Sequence, residues 1–291
     1  MTDPTSALPF QRVAVIGAGT MGHGIAQVSA QAGFDVVLYD LTDDAVSAGA
    51  ARIAKNLAKG IARGKVTEAD RDATLGRLST TTSLQTAATG AHLVIEAVPE
   101  KLALKQRLFA ELGEHTPPGC LFGTNTSSIS IAQIASAAPE PDRVVGLHFF
   151  NPVFIMKLLE IVHHDGTSDE TKAAALAYGQ AIGKECIQVR DLPGFATSRL
   201  GVCLGMEAIR MVQDGVASAE DIDKAMVLGY RHPIGPLKLT DLVGLDVRMH
   251  IGEYLAKELD NPAFEPPDLM RQMVAEGRLG QKSTRGFYDW E

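Results

Sequence analysis

Short apolar runs alternate with helical stretches along the first two thirds of the chain. Val13 to Ile16 is a short β-branched run, as expected of a fully buried parallel strand. Ile25, Ala26, Val28 and Ser29 then recur at helical spacing, and Gly33 ends that helix. A second strand is expected over Asp35 to Tyr39. Further strand-like runs follow: "HLVIEAV" (92–98), "CLFGTNTS" (120–127), "RVVGLHF" (143–149), "KLLEIV" (157–162) and "KECIQVR" (184–190). Helical stretches such as "EKLALKQRLFAELGEH" (100–115) separate them. The pattern predicts an α/β fold, a doubly wound and mostly parallel sheet that binds ligands at the carboxyl ends of its strands.

Pro193-Gly194 marks a change of pattern. Beyond it the strand signals stop, and "FATSRLGVCLGMEAIRMVQDG" reads as one long apolar helix closed by Gly215. Ser218 and Asp221 stand at capping-box spacing before another helix, which stops at Gly229. Residues 1–192 are therefore expected to form the α/β domain. Residues 193–291 are expected to form an all-helical domain. The helical part carries more apolar side chains than so small a domain buries alone, among them Leu200, Leu204, Met206 and Ile209. Some should face the first domain or a second subunit.

The chain has 291 residues, 45% hydrophobic and 21% charged, with a net charge of −8. That balance speaks against nonspecific nucleic-acid binding, so an anionic ligand needs a local basic patch. Cys120, Cys186 and Cys203 lie far apart without metal or redox spacing and read as buried thiols in a reducing compartment. The opening "MTDPTSALPFQR" has no apolar core of signal-peptide length, and no run is long enough to span a membrane. A cytoplasmic protein is expected.

Gly17, Gly19 and Gly22 follow the first strand in GxGxxG spacing and open a helix. Gly17 allows the tight turn, Gly19 lets a pyrophosphate approach the backbone, and Gly22 lets helix and strand pack closely. Thr20 and Met21 lie in the same turn and are expected to contact the dinucleotide. The helix N-terminus favours the phosphate charge. Asp40, just after the second strand, can accept both ribose hydroxyls. Its charge would repel a 2′-phosphate, and no arginine follows at 41 to 43, so NAD is expected over NADP.

"GLHFFNPV" (146–153) places His148 inside a run that otherwise reads as a buried strand. Such a histidine is more often a satisfied core residue than a titrating one. Two other features are weaker. His163-His164 lack further ligands at metal spacing and read as solvated loop residues. Lys55, Lys59, Arg63 and Lys65 make a basic stretch, either an exposed helix face or a clamp for phosphates.

The motifs "GAGTMGHGIAQ", "TNTSSISI", "GLHFFNPV", "MKLLEIV", "DLPGF", "DLVGLD" and the terminal "GFY" occur in order from Val13 to Tyr288. In them the chain resembles the NAD-dependent L-3-hydroxyacyl-CoA dehydrogenases. The resemblance implies a Rossmann-like N-terminal domain, an all-helical C-terminal domain and a homodimer formed through the helices. It implies NAD as cofactor, an acyl-CoA substrate and a place in fatty-acid β-oxidation. It further implies that His148 is the catalytic base with Glu160 as partner, that Ser127 bonds the reacting oxygen, and that Asn151 lies beside it. Glu100, Lys105 and Lys282 match positions near the cofactor, and Asn56 and Arg63 match positions that touch CoA. One position departs from the pattern: Ser198 stands where the family carries an asparagine that reaches the substrate.

Chemistry agrees with these roles. Oxidising a secondary alcohol needs a hydride acceptor, a base for the hydroxyl proton and donors for the developing oxyanion. A histidine oriented by a carboxylate suits the second task. Two alternatives stay open: a dehydrogenase of a hydroxy acid without CoA, of sugar-acid or carnitine type, and a dinucleotide-binding protein without activity.

Overall fold

The structure is a computed structural model that describes residues 11–291; most of the opening segment read for a signal peptide, residues 1–10, lies outside them. The chain divides into two compact units, Met1–Asp191 and Leu192–Glu291.

The first unit is built on one eight-stranded sheet in the order β3-β2-β1-β4-β5-β6-β7-β8. The strands are β1 (Arg12–Ile16), β2 (Asp35–Tyr39), β3 (Leu78–Thr81), β4 (Leu93–Glu96), β5 (Leu121–Thr124), β6 (Val144–Phe149), β7 (Leu158–His163) and β8 (Glu185–Arg190). Every neighbouring pair is parallel except β6 and β7, which form an antiparallel pair. Helices α1 (Gly22–Gln31), α2 (Asp43–Ala62), α3 (Glu68–Gly76), α4 (Leu84–Ala88), α5 (Leu102–Gly113), α6 (Ile131–Ala135) and α7 (Asp169–Ala181) make the connections. The side chains of the central strands, such as Val13, Val15, Leu93, Ile95, Val145 and Leu147, are buried, as helix-covered parallel strands require.

The strand order reverses between β1 and β4, which run side by side while the chain departs from them in opposite directions. In open α/β sheets that reversal opens the crevice where ligands bind. Strand β3, "LSTT", has no apolar run to announce it; it is an edge strand with Ser79 and Thr80 exposed.

The second unit contains α8 (Thr197–Gln213), α9 (Ala219–Lys224), α10 (Pro236–Val243), α11 (Leu245–Leu259) and α12 (Asp268–Ala275). Met206, Ile209, Leu237, Leu245, Leu255 and Met270 share its core. Asp241 fastens the C-terminal segment by accepting from Phe287 N, Tyr288 N and Trp290 Nε1, each at 2.9 Å. Leu200 on α8 stays 73% exposed, and Leu204 one turn later is also exposed.

Two expectations need correction. Only Cys120 is buried; Cys186, at the edge strand β8, and Cys203, on α8, are half-buried. Burial pushes the Cys120 thiol up to about 12. His164 is not a solvated loop residue: it is buried, with its Nε2 3.0 Å from Pro141 O and its Nδ1 accepting from Gly166 N at 3.1 Å. No helix among the described residues is long and apolar enough to cross a membrane.

Candidate active site

The glycine motif works through contacts that a side chain could not share. Gly17 has φ +103°, and a Cβ there would meet Ala97 O at 2.8 Å. A Cβ on Gly22 would lie 1.6 Å from Gly17 O, so only glycine lets α1 begin so close to β1. At Gly19 nothing lies within 4 Å of the same position. Among the described residues no neighbour therefore demands glycine at 19; the open space suits a ligand brought close to the backbone. Thr20 is exposed and Met21 half-buried in this turn. No side chain caps α1, and its first turn has no acidic residue, so its N–H groups fit a pyrophosphate. Asp40 accepts from Ala18 N at 2.8 Å and from Leu41 N at 2.7 Å. Each carboxylate oxygen keeps a lone pair for a ribose hydroxyl. The residues present thus fit a dinucleotide.

Next along the sheet, the ends of β4 and β5 carry a polar cluster. Glu96 is fully buried and accepts from Lys105 Nζ at 2.6 Å, Val98 N at 2.7 Å and Thr124 Oγ1 at 2.7 Å. Lys105 is 1% exposed and also meets Glu100 Oε2 at 3.2 Å. Glu100 Oε1 accepts from Thr126 Oγ1 at 2.5 Å, Ser127 N at 3.0 Å and Ser128 N at 3.2 Å. Burial pushes the Glu100 carboxyl up, but the Lys105 ammonium, the Thr126 hydroxyl and the Ser127 N–H outweigh it and hold it below the usual range. Lys105 is thereby enclosed behind Glu100, and the Ser127 turn is gathered on one carboxylate. Glu96 escapes a motif search; its signal is a lone acid ending the apolar strand "LVIE".

The third group lies on the antiparallel pair. His148 and Glu160 are directly opposed in the β6–β7 register. His148 Nδ1 is 2.6 Å from Glu160 Oε2, with His148 7% and Glu160 0% exposed. The His148 ring centroid is 4.5 Å from that of Phe150. Asn151 is exposed and opens the turn from β6 to β7 through a cis bond to Pro152. Asn125, which no sequence signal singled out, accepts from Phe149 N at 2.9 Å and so ties the β5 end to the β6 end.

Across the sheet edge the order is therefore Asp40 just after β2, the glycine turn after β1, Glu96 and Glu100 at β4, Ser127 after β5 and His148 on β6. Asn56, on α2, donates to Gln27 Oε1 at 3.2 Å. Arg63 caps α2 and is exposed, as are Lys55, Lys59 and Lys65. Ser198 and Lys282 belong to the second unit. Ser198 is half-buried in the first turn of α8, and Lys282 Nζ is 2.6 Å from Asp246 Oδ2. Among the described residues no group of histidine, cysteine and acid side chains could hold a metal.

Comparison with known proteins gives a consistent set of relatives. Residues 12–192 match the family described as 3-hydroxyacyl-CoA dehydrogenase, NAD binding domain, and residues 194–290 match the 3-hydroxyacyl-CoA dehydrogenase C-terminal domain. A 3-hydroxybutyryl-CoA dehydrogenase of Mycobacterium tuberculosis is 45% identical over 283 residues, 97% of this chain and 99% of that protein. A probable 3-hydroxybutyryl-CoA dehydrogenase of Bacillus subtilis is 42% identical, over 98% of this chain and 99% of its own length. The crystal structure of (S)-3-hydroxybutyryl-CoA dehydrogenase from Ralstonia eutropha superposes with a TM-score of 0.94 at 41% identity, covering 97% of this chain and 99% of that one.

Proposed function

The chain belongs to the 3-hydroxyacyl-CoA dehydrogenase family, and from that premise we propose how its residues carry out the NAD-dependent oxidation of a short-chain L-3-hydroxyacyl-CoA. The observation that carries the reading is the buried hydrogen bond between His148 and Glu160 at 2.6 Å. An ionised carboxylate can only accept, so Nδ1 donates the proton of that bond and Nε2 is the nitrogen that acts as base. Nε2 takes the proton of the substrate's 3-hydroxyl, and Glu160 stabilises the imidazolium that results. Ser127 Oγ donates to the same substrate oxygen, with Asn151 beside it, as charge develops there. NAD, when bound, supplies the acceptor for the hydride that leaves C3. Gly17 to Gly22 and Asp40 hold it, and the charge of Asp40 selects it over NADP. Glu100 orders the Ser127 turn beside the cofactor, Lys105 acts through Glu100, and Lys282 completes the cofactor contacts. In reduction the proton returns from Nε2 to the new alkoxide.

Asn56 and Arg63, with Lys55, Lys59 and Lys65, form the surface for the CoA phosphates. Ser198 takes the place of the family asparagine at the substrate. The exposed apolar residues of α8 and α11, Leu200, Leu204 and Val247, support a homodimer through the helical unit. Three cysteines without a disulfide support a cytoplasmic location.

The test is NADH consumption with acetoacetyl-CoA against free acetoacetate. Turnover only of the CoA ester is expected. Equal efficiency on the free acid would move the substrate outside the CoA class.

A further inference from the structure

Two carboxylates and one ammonium share the crevice end of β4 and β5. Glu96 Oε1 accepts from Lys105 Nζ and Val98 N, and its Oε2 accepts from Thr124 Oγ1, so both oxygens of the carboxylate are engaged. Lys105 Nζ has three donors, and Glu96 Oε1, Glu100 Oε2 and Val98 O use them. Glu100, at the solvent side of the cluster, is held below the usual carboxyl range by Lys105, Thr126 and Ser127. One ammonium therefore serves two carboxylates, and one negative charge is left uncompensated. Thr124 and Thr126 stabilise that charge without cancelling it.

The direction of the cofactor places this charge. Asp40 on β2 marks the adenosine ribose, and the first turn of α1 after β1 marks the pyrophosphate. The other half of the dinucleotide must run away from β2, toward β4 and β5. His148 on β6 requires the same direction, because the hydride acceptor must reach C3 while the base reaches the hydroxyl on that carbon. The oxidised nicotinamide ring carries a positive charge and the reduced ring carries none.

We infer that the Glu96–Lys105–Glu100 cluster sets the balance between the two redox states of the bound cofactor, favouring the oxidised form, with Glu96 as a buried positioning residue that holds Lys105 beneath Glu100. The inference rests on the dinucleotide reading above. Its chemical content is a charge effect on the ring, distinct from any contact that binds both forms equally.

The experiment is equilibrium binding of NAD⁺, NADH and ADP-ribose to the full chain, as wild type, Glu96→Gln, Glu100→Gln and Glu96→Asp. Each glutamine variant removes one negative charge. Each should raise the ratio of the NAD⁺ to the NADH dissociation constant, on the order of tenfold for one partly screened charge. Glu96→Asp keeps the charge and should keep the ratio. ADP-ribose lacks the ring and should bind all four proteins alike. Should Glu96→Gln fail to fold, Glu100→Gln decides, since its carboxylate lies at the solvent side of the cluster. An unchanged ratio with normal ADP-ribose binding overturns the inference. Equal loss of all three ligands also overturns it, because the cluster is then only structural. A wild-type chain that bound none of the three would instead overturn the dinucleotide reading itself.

Discussion

His148 faces Glu160 across β6 and β7, its Nδ1 2.6 Å from the carboxylate, in a register that opposes the two residues directly. The pairing fixes the ring on a rigid part of the sheet. His148→Ala should lower kcat by about 10² to 10⁴, the usual contribution of a positioned base. Glu160→Gln should cost less and leave the fold intact. Oxidation should accelerate with rising pH and reduction with falling pH, since Nε2 accepts the proton in one direction and returns it in the other. Steady-state kinetics in both directions across pH check this. Near-native turnover by folded His148→Ala would remove His148 from the chemistry.

Much of this arrangement was legible in the sequence, but not all of it. The strands β1 and β2 were clear because burial on both faces demands continuous apolar runs, and Gly33 punctuates the helix between them. Strand β3 was hidden because an edge strand with exposed Ser79 and Thr80 needs no apolar run. His148 and Glu160 were nameable from motifs, whereas their direct opposition depends on hairpin register. Glu96 carries no motif, and its burial depends on Thr124 from the neighbouring strand as well as on Val98 and Lys105, while Asn125 bonds to Phe149, 24 residues away. His164 was misread for a similar reason: its Nε2 partner, Pro141 O, comes from the segment before β6.

Gly22 gives a sharp steric prediction. A methyl group there would sit 1.6 Å from Gly17 O, so α1 or the phosphate turn must shift. Gly22→Ala should weaken NAD⁺ binding at least about tenfold and lower Tm, because overpacking of this kind costs about 1–3 kcal/mol. Gly19→Ala, with open space at its Cβ, should leave Tm near wild type while still weakening NAD⁺ binding. Calorimetry and fluorescence titration of both variants separate the two effects. Equal behaviour of the pair would contradict the distinct roles assigned to them.

Arg63 caps the exposed end of α2, at the edge of the basic stretch. Arg63→Ala should raise KM for acetoacetyl-CoA and leave kcat and NAD⁺ affinity unchanged, since it removes binding common to ground and transition states. That KM should also rise with salt, because exposed charges are screened over about 10 Å at 0.1 M. A pantetheine ester without the phosphates should be insensitive to both changes. A pantetheine ester with the same KM as the CoA ester would refute the phosphate clamp.

Leu200 is 73% exposed on α8, and Leu204 and Val247 are exposed on the same helical unit. Leu200→Arg should convert a dimer to a monomer in sedimentation velocity while the helical content stays unchanged. A wild-type chain that sediments as a monomer at micromolar concentration would sink the homodimer.

Ser198 is half-buried in the first turn of α8, and we propose that it stands in for an amide at the substrate. A serine hydroxyl lies about two bonds nearer the backbone than an asparagine amide, so direct reach is lost. An ordered water in the space left by the shorter side chain should relay the hydrogen bond at a modest entropic cost of about 0–2 kcal/mol. Ser198→Ala removes the anchor of that water. The loss should resemble one hydrogen bond to a developing charge, about 1.5–3 kcal/mol, or roughly 10- to 150-fold in kcat/KM. Ser198→Asn should be tolerated in fold and activity, because the amide replaces the water and bonds directly. Kinetics of both variants on a short acyl-CoA, with a crystal structure of the wild-type enzyme bound to substrate, check the water and its role together. A kinetically silent Ser198→Ala would reduce Ser198 to a helix-entry residue and leave the reacting oxygen to Ser127 and Asn151.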